Sequence, residues 1–170
     1  MARQISLIIL VALAVASRLL PHPLNFAPIT ALALFGGAHF RSKAAGLLIP
    51  LIAMLVSDFV IGFHSQMATV YGSFVLIYGL GRLLRGHVRP LPVFGASLAG
   101  SALFFVITNF GIWAFDGVYP QTGAGLADCF VAAIPFFQNT VAGDLAYSLA
   151  LFGSFALAER FVPALHCCDV

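Results

Sequence analysis

Six apolar segments follow one another along the chain, and the basic residues lie between these segments or near their ends. The segments cover residues 4–20, 27–40, 44–63, 67–84, 91–113 and 139–161. Only 8% of the 170 residues are charged, whereas a soluble domain has about a quarter charged residues. Because too few polar side chains exist to cover a water-facing surface, the sequence predicts an all-α integral membrane protein, a single transmembrane helical bundle over residues 1–170.

Two of the apolar stretches are short for a membrane span. The segment at 27–40 would cover about 21 Å as a helix, less than the ~30 Å hydrocarbon core. We therefore expect either a tilted span in a thinned bilayer or a helix that extends back through Asn25. Residues 130–137 are apolar but too few to cross, and Pro135 lies among them. The predicted fold is six transmembrane helices plus a short interfacial or re-entrant helix before the last span.

The basic residues predict the orientation of these spans. With six spans, the N-terminus, the second and fourth loops and the C-terminus lie on one side of the membrane. Cytoplasmic loops carry an excess of Lys and Arg, so both termini are predicted to be cytoplasmic, in a multi-pass protein of the inner (cytoplasmic) membrane. The residues that indicate this side are Arg3, Arg41, Lys43, Arg82, Arg85, Arg89 and Arg160.

The first segment has an alternative interpretation as a signal peptide. It contains Ala14-Val15-Ala16, which is similar to a cleavage site. The apolar pattern continues past this point to Leu20, which favours a retained helix. Ala12 and Ala16 lie four residues apart on one face, a spacing that allows another helix to approach closely.

Two acidic residues lie inside apolar segments, where lipid cannot satisfy them. Asp58 and Asp144 are each about 7.5 Å of helix from the predicted outer end of their segment. At this common depth we expect the acids and the nearby polar side chains to converge on one pocket that opens to the outside and binds a ligand. The residues predicted for this pocket are Arg18, Asn25, Asp58, Asn109, Trp113, Asn139 and Asp144.

The same residues have structural interpretations that remain open. Arg18 and the two acids could form an ion-pair network that only locks helices together. Arg18 could instead extend to a lipid phosphate, and Asn25 could cap the second helix. Trp113 is close to the outer boundary, where aromatic belts are usual.

Several functional classes lack their sequence signals. The net charge is only +2, and no basic stripe interleaved with aromatic residues indicates a nucleic acid. The chain contains none of the common hydrolase, metalloprotease or phosphate-loop motifs, so we expect no enzymatic activity. No C-x-x-C motif and no pair of histidines four residues apart on a helix indicates a metal site. No cofactor or metal is therefore predicted.

Part of the pattern resembles a known family of transport proteins. The second and third segments are similar to the corresponding helices of the substrate-binding S components of energy-coupling-factor (ECF) vitamin transporters. The residues that carry this resemblance are Asn25-Phe26-Ala27-Pro28-Ile29, Gly36-Gly37, Pro50 and Ser57-Asp58. Nearly the whole chain also resembles a family of uncharacterised bacterial membrane proteins, through Leu24-Asn25-Phe26 and Thr108-Asn109-Phe110-Gly111-Ile112-Trp113.

The resemblance to S components implies uptake of a small organic solute, a vitamin or a precursor, through the outward-facing pocket. It also implies an ECF coupling subunit with ATPases that packs on Ala12 and Ala16. Ala2 stands where cobalt and nickel S components have a histidine, and the pocket lacks the cysteine of cobalamin relatives. Metal and cobalamin substrates are thus not implied. The alternative function is a non-catalytic structural or accessory subunit of a larger membrane complex.

Overall fold

The computed structural model describes residues 2–21 and 23–162. Within this part of the chain all regular structure is helical, which confirms the predicted all-α class. The helices are α1 (Ala2–Ala16, followed by a 3-10 turn at Ser17–Leu19), α2 (Ile29–His39), α3 (Lys43–Ile61), α4 (Met67–Leu83), α5 (Pro90–Phe115) and α6 (Gly123–Phe161).

Four of the described helices are long and apolar enough to cross a membrane, judged by length and composition: α1 with its 3-10 turn, α3, α5 and α6. α2 and α4 are apolar but shorter. Large apolar side chains such as Phe59, Leu91 and Leu149 are exposed on the outside of the bundle. An apolar exterior of this extent is typical of a protein whose solvent is lipid.

Local signals set several helix ends. The Ser42 hydroxyl accepts a hydrogen bond from the Ala45 backbone N–H (3.2 Å) at the start of α3. Thr122 caps α6 in the same way through Gly125 (3.1 Å). These are the side chains that satisfy unpaired N–H groups at helix starts. α3 ends at Gly62, whose φ of 112° is a conformation that favours glycine.

The separate helix predicted at 130–137 does not exist, because these residues form the middle of the continuous helix α6. Pro135 removes one backbone hydrogen bond, but a helix continues through a proline when packing holds both sides. Phe130 and Phe137, which flank Pro135, both contact the ring of Phe105 on α5, with centroids 5.6 and 4.7 Å apart. Packing against α5 therefore overrides the local break.

α2 lies at the centre of the bundle and is shorter than the segment predicted at 27–40. Its 11 residues cover only about 16 Å, and every residue from Thr30 to Phe40 is buried. It does not extend back through Asn25, which has a φ of 62° and lies outside the helix. Because α2 is enclosed on all sides, the protein itself must satisfy the unpaired backbone groups at both of its ends.

Three arginines satisfy the carboxyl end of α2. Arg3 donates from Nη1 to the His39 carbonyl (2.8 Å). Arg82 and Arg85 donate to the Phe40 carbonyl at 3.2 and 2.9 Å. Positive charge at this end complements the partial negative charge of the helix dipole. These three arginines thus gather around a single helix terminus.

Candidate functional site

The first buried polar cluster is an ion pair between the end of α1 and the end of α3. Arg18 Nη2 lies 2.7 Å from Asp58 Oδ1, and their side chains are 10% and 2% exposed. Arg18 Nη1 also donates to the Ser57 hydroxyl (2.7 Å). Tyr71 on α4 donates its hydroxyl proton to the other carboxylate oxygen of Asp58 (2.6 Å). The cluster therefore ties three helices together.

The second cluster surrounds Asp144 on α6, which is 1% exposed. The Ser101 hydroxyl on α5 donates to Asp144 Oδ2 (2.6 Å). The hydroxyl and the backbone N–H of Thr30 are further hydrogen-bond donors to this carboxylate. α2 has no capping side chain of its own, because Pro28 occupies the cap position. Asp144 therefore caps the amino end of α2 from another helix, where a negative charge is favoured.

The two acids do not share a pocket, contrary to the expectation from the sequence. Asp58 is paired with Arg18 and Tyr71, whereas Asp144 is bound by Ser101 and Thr30. A cavity lined by Gln66, Asn109 and Phe136 lies nearby, and neither carboxylate lines it. Each acid is satisfied by donors on adjacent helices, so no open polar site forms between them. Arg18 and Asp58 form the ion pair of the structural interpretation, whereas Asp144 has only neutral donors and lies outside that pair.

Removing the Asp144 carboxylate should expose its role as a cap. We expect Asp144→Ala to lower the free energy of unfolding by about 2 kcal/mol, because it leaves the Ser101 hydroxyl and the start of α2 without an acceptor. Ser148→Ala, one turn further along α6, removes only a neutral hydrogen bond to Ser97 (3.2 Å) and should cost about 1 kcal/mol or less. Unfolding in mixed micelles with increasing dodecyl sulfate measures both; equal losses would contradict the capping role.

A cavity of about 370 Å³ lies at the end of the bundle opposite Arg3, Arg82 and Arg85. It is enclosed by α4, α5, the first half of α6 and the loops that approach them. Gln66 and Tyr119 line it together with Phe104, Phe105 and Phe136, which form apolar walls. Among the described residues that line it, none carries a charge.

The polar groups of the cavity are amides and hydroxyls. Asn109 donates from Nδ2 to the Phe105 carbonyl (2.7 Å), which holds the amide in place and leaves its oxygen as an acceptor. Thr108 donates to the Phe104 carbonyl (2.8 Å) and keeps acceptor capacity in the same way. Gln66 Oε1 accepts from Thr69 (2.7 Å), so its NH₂ group is a donor that remains available. Such a set suits an uncharged ligand that both donates and accepts hydrogen bonds.

The structure brings together only part of the predicted ligand site. Of the seven residues, Asn25 and Asn109 line the cavity. Trp113 is held by the loop that follows it, since its indole N–H donates to the Pro120 carbonyl (3.0 Å). Asn139 donates from Nδ2 to the Leu24 carbonyl (3.1 Å) and so fixes the connection before α2 to α6. Asn25 does not cap α2.

Sequence reasoning missed several residues of these sites. Tyr71 and Ser101 complete the two acidic clusters, and Gln66 and Cys129 line the cavity. One signal was present: Ser97 and Ser101 share the four-residue spacing of Asp144 and Ser148, which makes facing polar stripes on α5 and α6. Nothing comparable marks Tyr71, because an aromatic residue in an apolar segment is ordinary.

Metal ligation is not indicated by the geometry. Within residues 2–21 and 23–162, no three histidine, cysteine or acidic side chains come together in the manner of a metal site. Cys129 is buried, with its thiol 3.4 Å from the Asn109 carbonyl. The Cys129 side chain therefore lies between α6 and α5 and contributes to the packing of these two helices.

The fold and the cavity define an all-α protein with an apolar exterior, two internally satisfied acidic clusters and an uncharged polar cavity. The chain belongs to the family of unknown function DUF6580, whose sequence profile matches residues 1–165. No curated protein and no solved structure matches the chain significantly. The resemblance to S components therefore stays a prediction from sequence pattern.

Proposed function

We propose that this protein is a membrane solute-binding and uptake protein of the S-component type. The observation that carries the proposal is the cavity bounded by Gln66, Asn109 and Phe136, whose volume of about 370 Å³ is in the range of small-molecule sites. Its amides and hydroxyls stand between aromatic walls, without a charged group among the described lining residues. The ligand of this cavity is a small, uncharged organic solute such as a vitamin or a precursor.

The proposed topology places the cavity on the outer side of the inner membrane. Arg3, Arg41, Arg82 and Arg85 gather at the opposite end, and positive residues favour the cytoplasm. Both termini are then cytoplasmic, and the chain crosses six times. The second crossing combines the irregular residues 23–28 with the short helix α2, an arrangement that membrane proteins tolerate where protein surrounds the backbone.

Transport additionally requires a partner, for which α1 offers a surface. Ala12 and Ala16 are both exposed and lie on one face of this helix. Two small residues at this spacing allow a second helix to pack closely. We propose this face as the contact for an ECF coupling subunit with its ATPases.

Filling the cavity tests the function. Ala133 lines it, whereas Ala146 is exposed on the same helix and lies outside it. We expect at least one of the uncharged probes riboflavin, pyridoxine and nicotinamide to raise the melting temperature by about 5 °C or more at one hundred times its Kd. Ala133→Phe should abolish this shift, and Ala146→Phe should retain it. Thermal denaturation of detergent-purified protein provides the measurement.

A second function has one observation in its favour. Arg18, Asp58 and Asp144 are fully engaged with other side chains, as expected of a structural or accessory subunit of a membrane complex. In that case no probe shifts the melting temperature and Ala133→Phe behaves like Ala146→Phe. That outcome would reject solute binding in the cavity.

A further inference from the structure

A basic cleft of about 790 Å³ lies at the carboxyl end of α2. Four arginines from α1, α4 and the adjoining loops line it, and Glu159 is the one acidic side chain among its described lining residues. The arginines are Arg3, Arg41, Arg82 and Arg85. The carbonyl groups at this end of α2 accept hydrogen bonds from some of these arginines, but the cleft retains a net positive charge.

Much of the donor capacity in this basic cleft is unused. Arg82 and Arg85 bind carbonyls through Nη1 alone within the described residues. The exposed side chain of Arg41 makes no hydrogen bond there. Arg3 Nε is a buried nitrogen without a hydrogen-bond partner, although the Arg3 guanidinium group lies over the Phe155 ring, 5.3 Å from its centroid. Glu159 Oε1 is 3.7 Å from Arg3 Nε, too far for a hydrogen bond.

A buried donor without a hydrogen-bond partner, such as Arg3 Nε, is costly unless a ligand or water satisfies it. Several guanidinium groups around one cleft provide the forked donors that fit phosphate oxygens. The chemistry of the cleft is therefore that of a phosphate site.

An apolar groove of about 470 Å³ adjoins the basic cleft between α5 and α6. The two cavities share Val88, Phe152 and Ala156 as lining residues. Beyond them the groove is lined mainly by apolar side chains such as Phe94 and Leu149. A charged compartment therefore continues into a hydrocarbon-lined one at the end of the bundle that carries the arginines.

We propose that the basic cleft and the apolar groove form one binding site for an anionic phospholipid. The phosphate lies among the four arginines, and an acyl chain lies in the groove between α5 and α6. A basic pocket between helices at a membrane surface is the setting in which anionic headgroups bind. Free phosphate shares the headgroup chemistry but would leave the groove unused, so the two sources can be distinguished.

The headgroup contact is tested with Arg41, whose side chain supports no other part of the structure. Delipidated protein is titrated with phosphatidylglycerol, phosphatidylcholine or inorganic phosphate at constant ionic strength, and native mass spectrometry gives each apparent Kd. We expect phosphatidylglycerol to bind about tenfold more tightly than phosphatidylcholine and Arg41→Gln to weaken it about fivefold. Lys43→Gln removes the same charge two residues away, outside the cleft, and should change the Kd less than about twofold.

The acyl-chain contact is tested with two exposed glycines in open surroundings. Gly153 lines the groove, and an added Cβ would meet only Leu149 at 3.9 Å. Gly79 on α4 has nothing within 4 Å of an added Cβ and lines neither cavity. Gly153→Leu should fill the groove and weaken phosphatidylglycerol binding about tenfold, while Gly79→Leu should leave it unchanged.

Three results would overturn the lipid site. Phosphatidylglycerol and phosphatidylcholine could bind equally, or Arg41→Gln and Lys43→Gln could weaken binding equally, which would indicate a general surface charge. Inorganic phosphate could bind as tightly as phosphatidylglycerol with Gly153→Leu without effect, which would indicate a free-anion site. Each variant is compared only after it elutes as wild type in gel filtration.

Discussion

Asp58→Ala is expected to lower the free energy of unfolding by about 3–5 kcal/mol. Asp58 is 2% exposed and lies 2.7 Å from Arg18, so truncation leaves a guanidinium group in the interior without its counter-charge. The Tyr71 hydroxyl loses its acceptor in the same step. Asp58→Asn keeps the shape but not the charge and should also destabilise the protein strongly. Equilibrium unfolding in mixed micelles with dodecyl sulfate measures these losses.

A matched set of variants separates the charge from the packing. Tyr71→Phe alone should cost about 1 kcal/mol, the value of one hydrogen bond. The triple variant Arg18→Met, Asp58→Leu and Tyr71→Phe replaces the whole cluster by apolar groups and should be more stable than Asp58→Ala. A triple variant less stable than Asp58→Ala would show that the ion pair itself, and not the unpaired charge, dominates.

The ion pair also lies outside the proposed solute cavity, so its variants test the site assignment. In the folded fraction, Asp58→Asn should leave the melting-temperature shift with riboflavin, pyridoxine or nicotinamide unchanged, because no atom of Asp58 lines the cavity. If Asp58→Asn abolished the melting-temperature shift without changing the free energy of unfolding, Asp58 would belong to the ligand site that the sequence predicted.

Gly81→Ala and Gly37→Ala are each expected to destabilise the protein by about 3 kcal/mol or more, the upper end of the range for overpacking. A Cβ on Gly81 would lie 2.5 Å from the Leu34 carbonyl oxygen and 2.8 Å from its Cα. A Cβ on Gly37 would lie 2.6 Å from the Tyr78 carbonyl oxygen and 2.7 Å from the Arg82 nitrogen. These neighbours are backbone atoms, so α2 and α4 must separate to admit even one methyl group.

Two glycines on the same helix α4 provide the control. Gly72 and Gly79 are exposed, and nothing lies within 4 Å of a Cβ added to either. Because alanine has the higher helix propensity, Gly72→Ala and Gly79→Ala should be neutral or stabilising by up to about 1 kcal/mol. The same micelle titration compares all four; equal effects at Gly79 and Gly81 would contradict the close approach of the two backbones.

The predictable features of the fold were those that depend on local pattern. The apolar pattern placed α3, α4 and α5 to within two residues of their observed ends, because a helix start or stop depends on nearby residues such as Ser42 and Gly62. The same pattern failed for 130–137. The ring of Phe105 on α5 packs against both Phe130 and Phe137 there, and that contact is distant in sequence.

The candidate site was less predictable, because it depends on helix rotation and on which helices are neighbours. Depth along a segment correctly indicated that Asp58 and Asp144 are buried. It could not indicate that Tyr71 would reach one acid and Ser101 the other. Asp58 and Asp144 therefore occupy separate clusters although their predicted depth is similar. The polar groups of the cavity are instead amides and hydroxyls.

Composition and periodicity by themselves determined the helical class and the apolar exterior, since both follow from the order of residues within single segments. The tertiary structure alone decided that α2 would be fully enclosed, with Asp144 at one end and three arginines at the other. A short helix removed from solvent must find partners for its terminal backbone groups on other helices. Which helices supply them depends on the packing of the whole bundle.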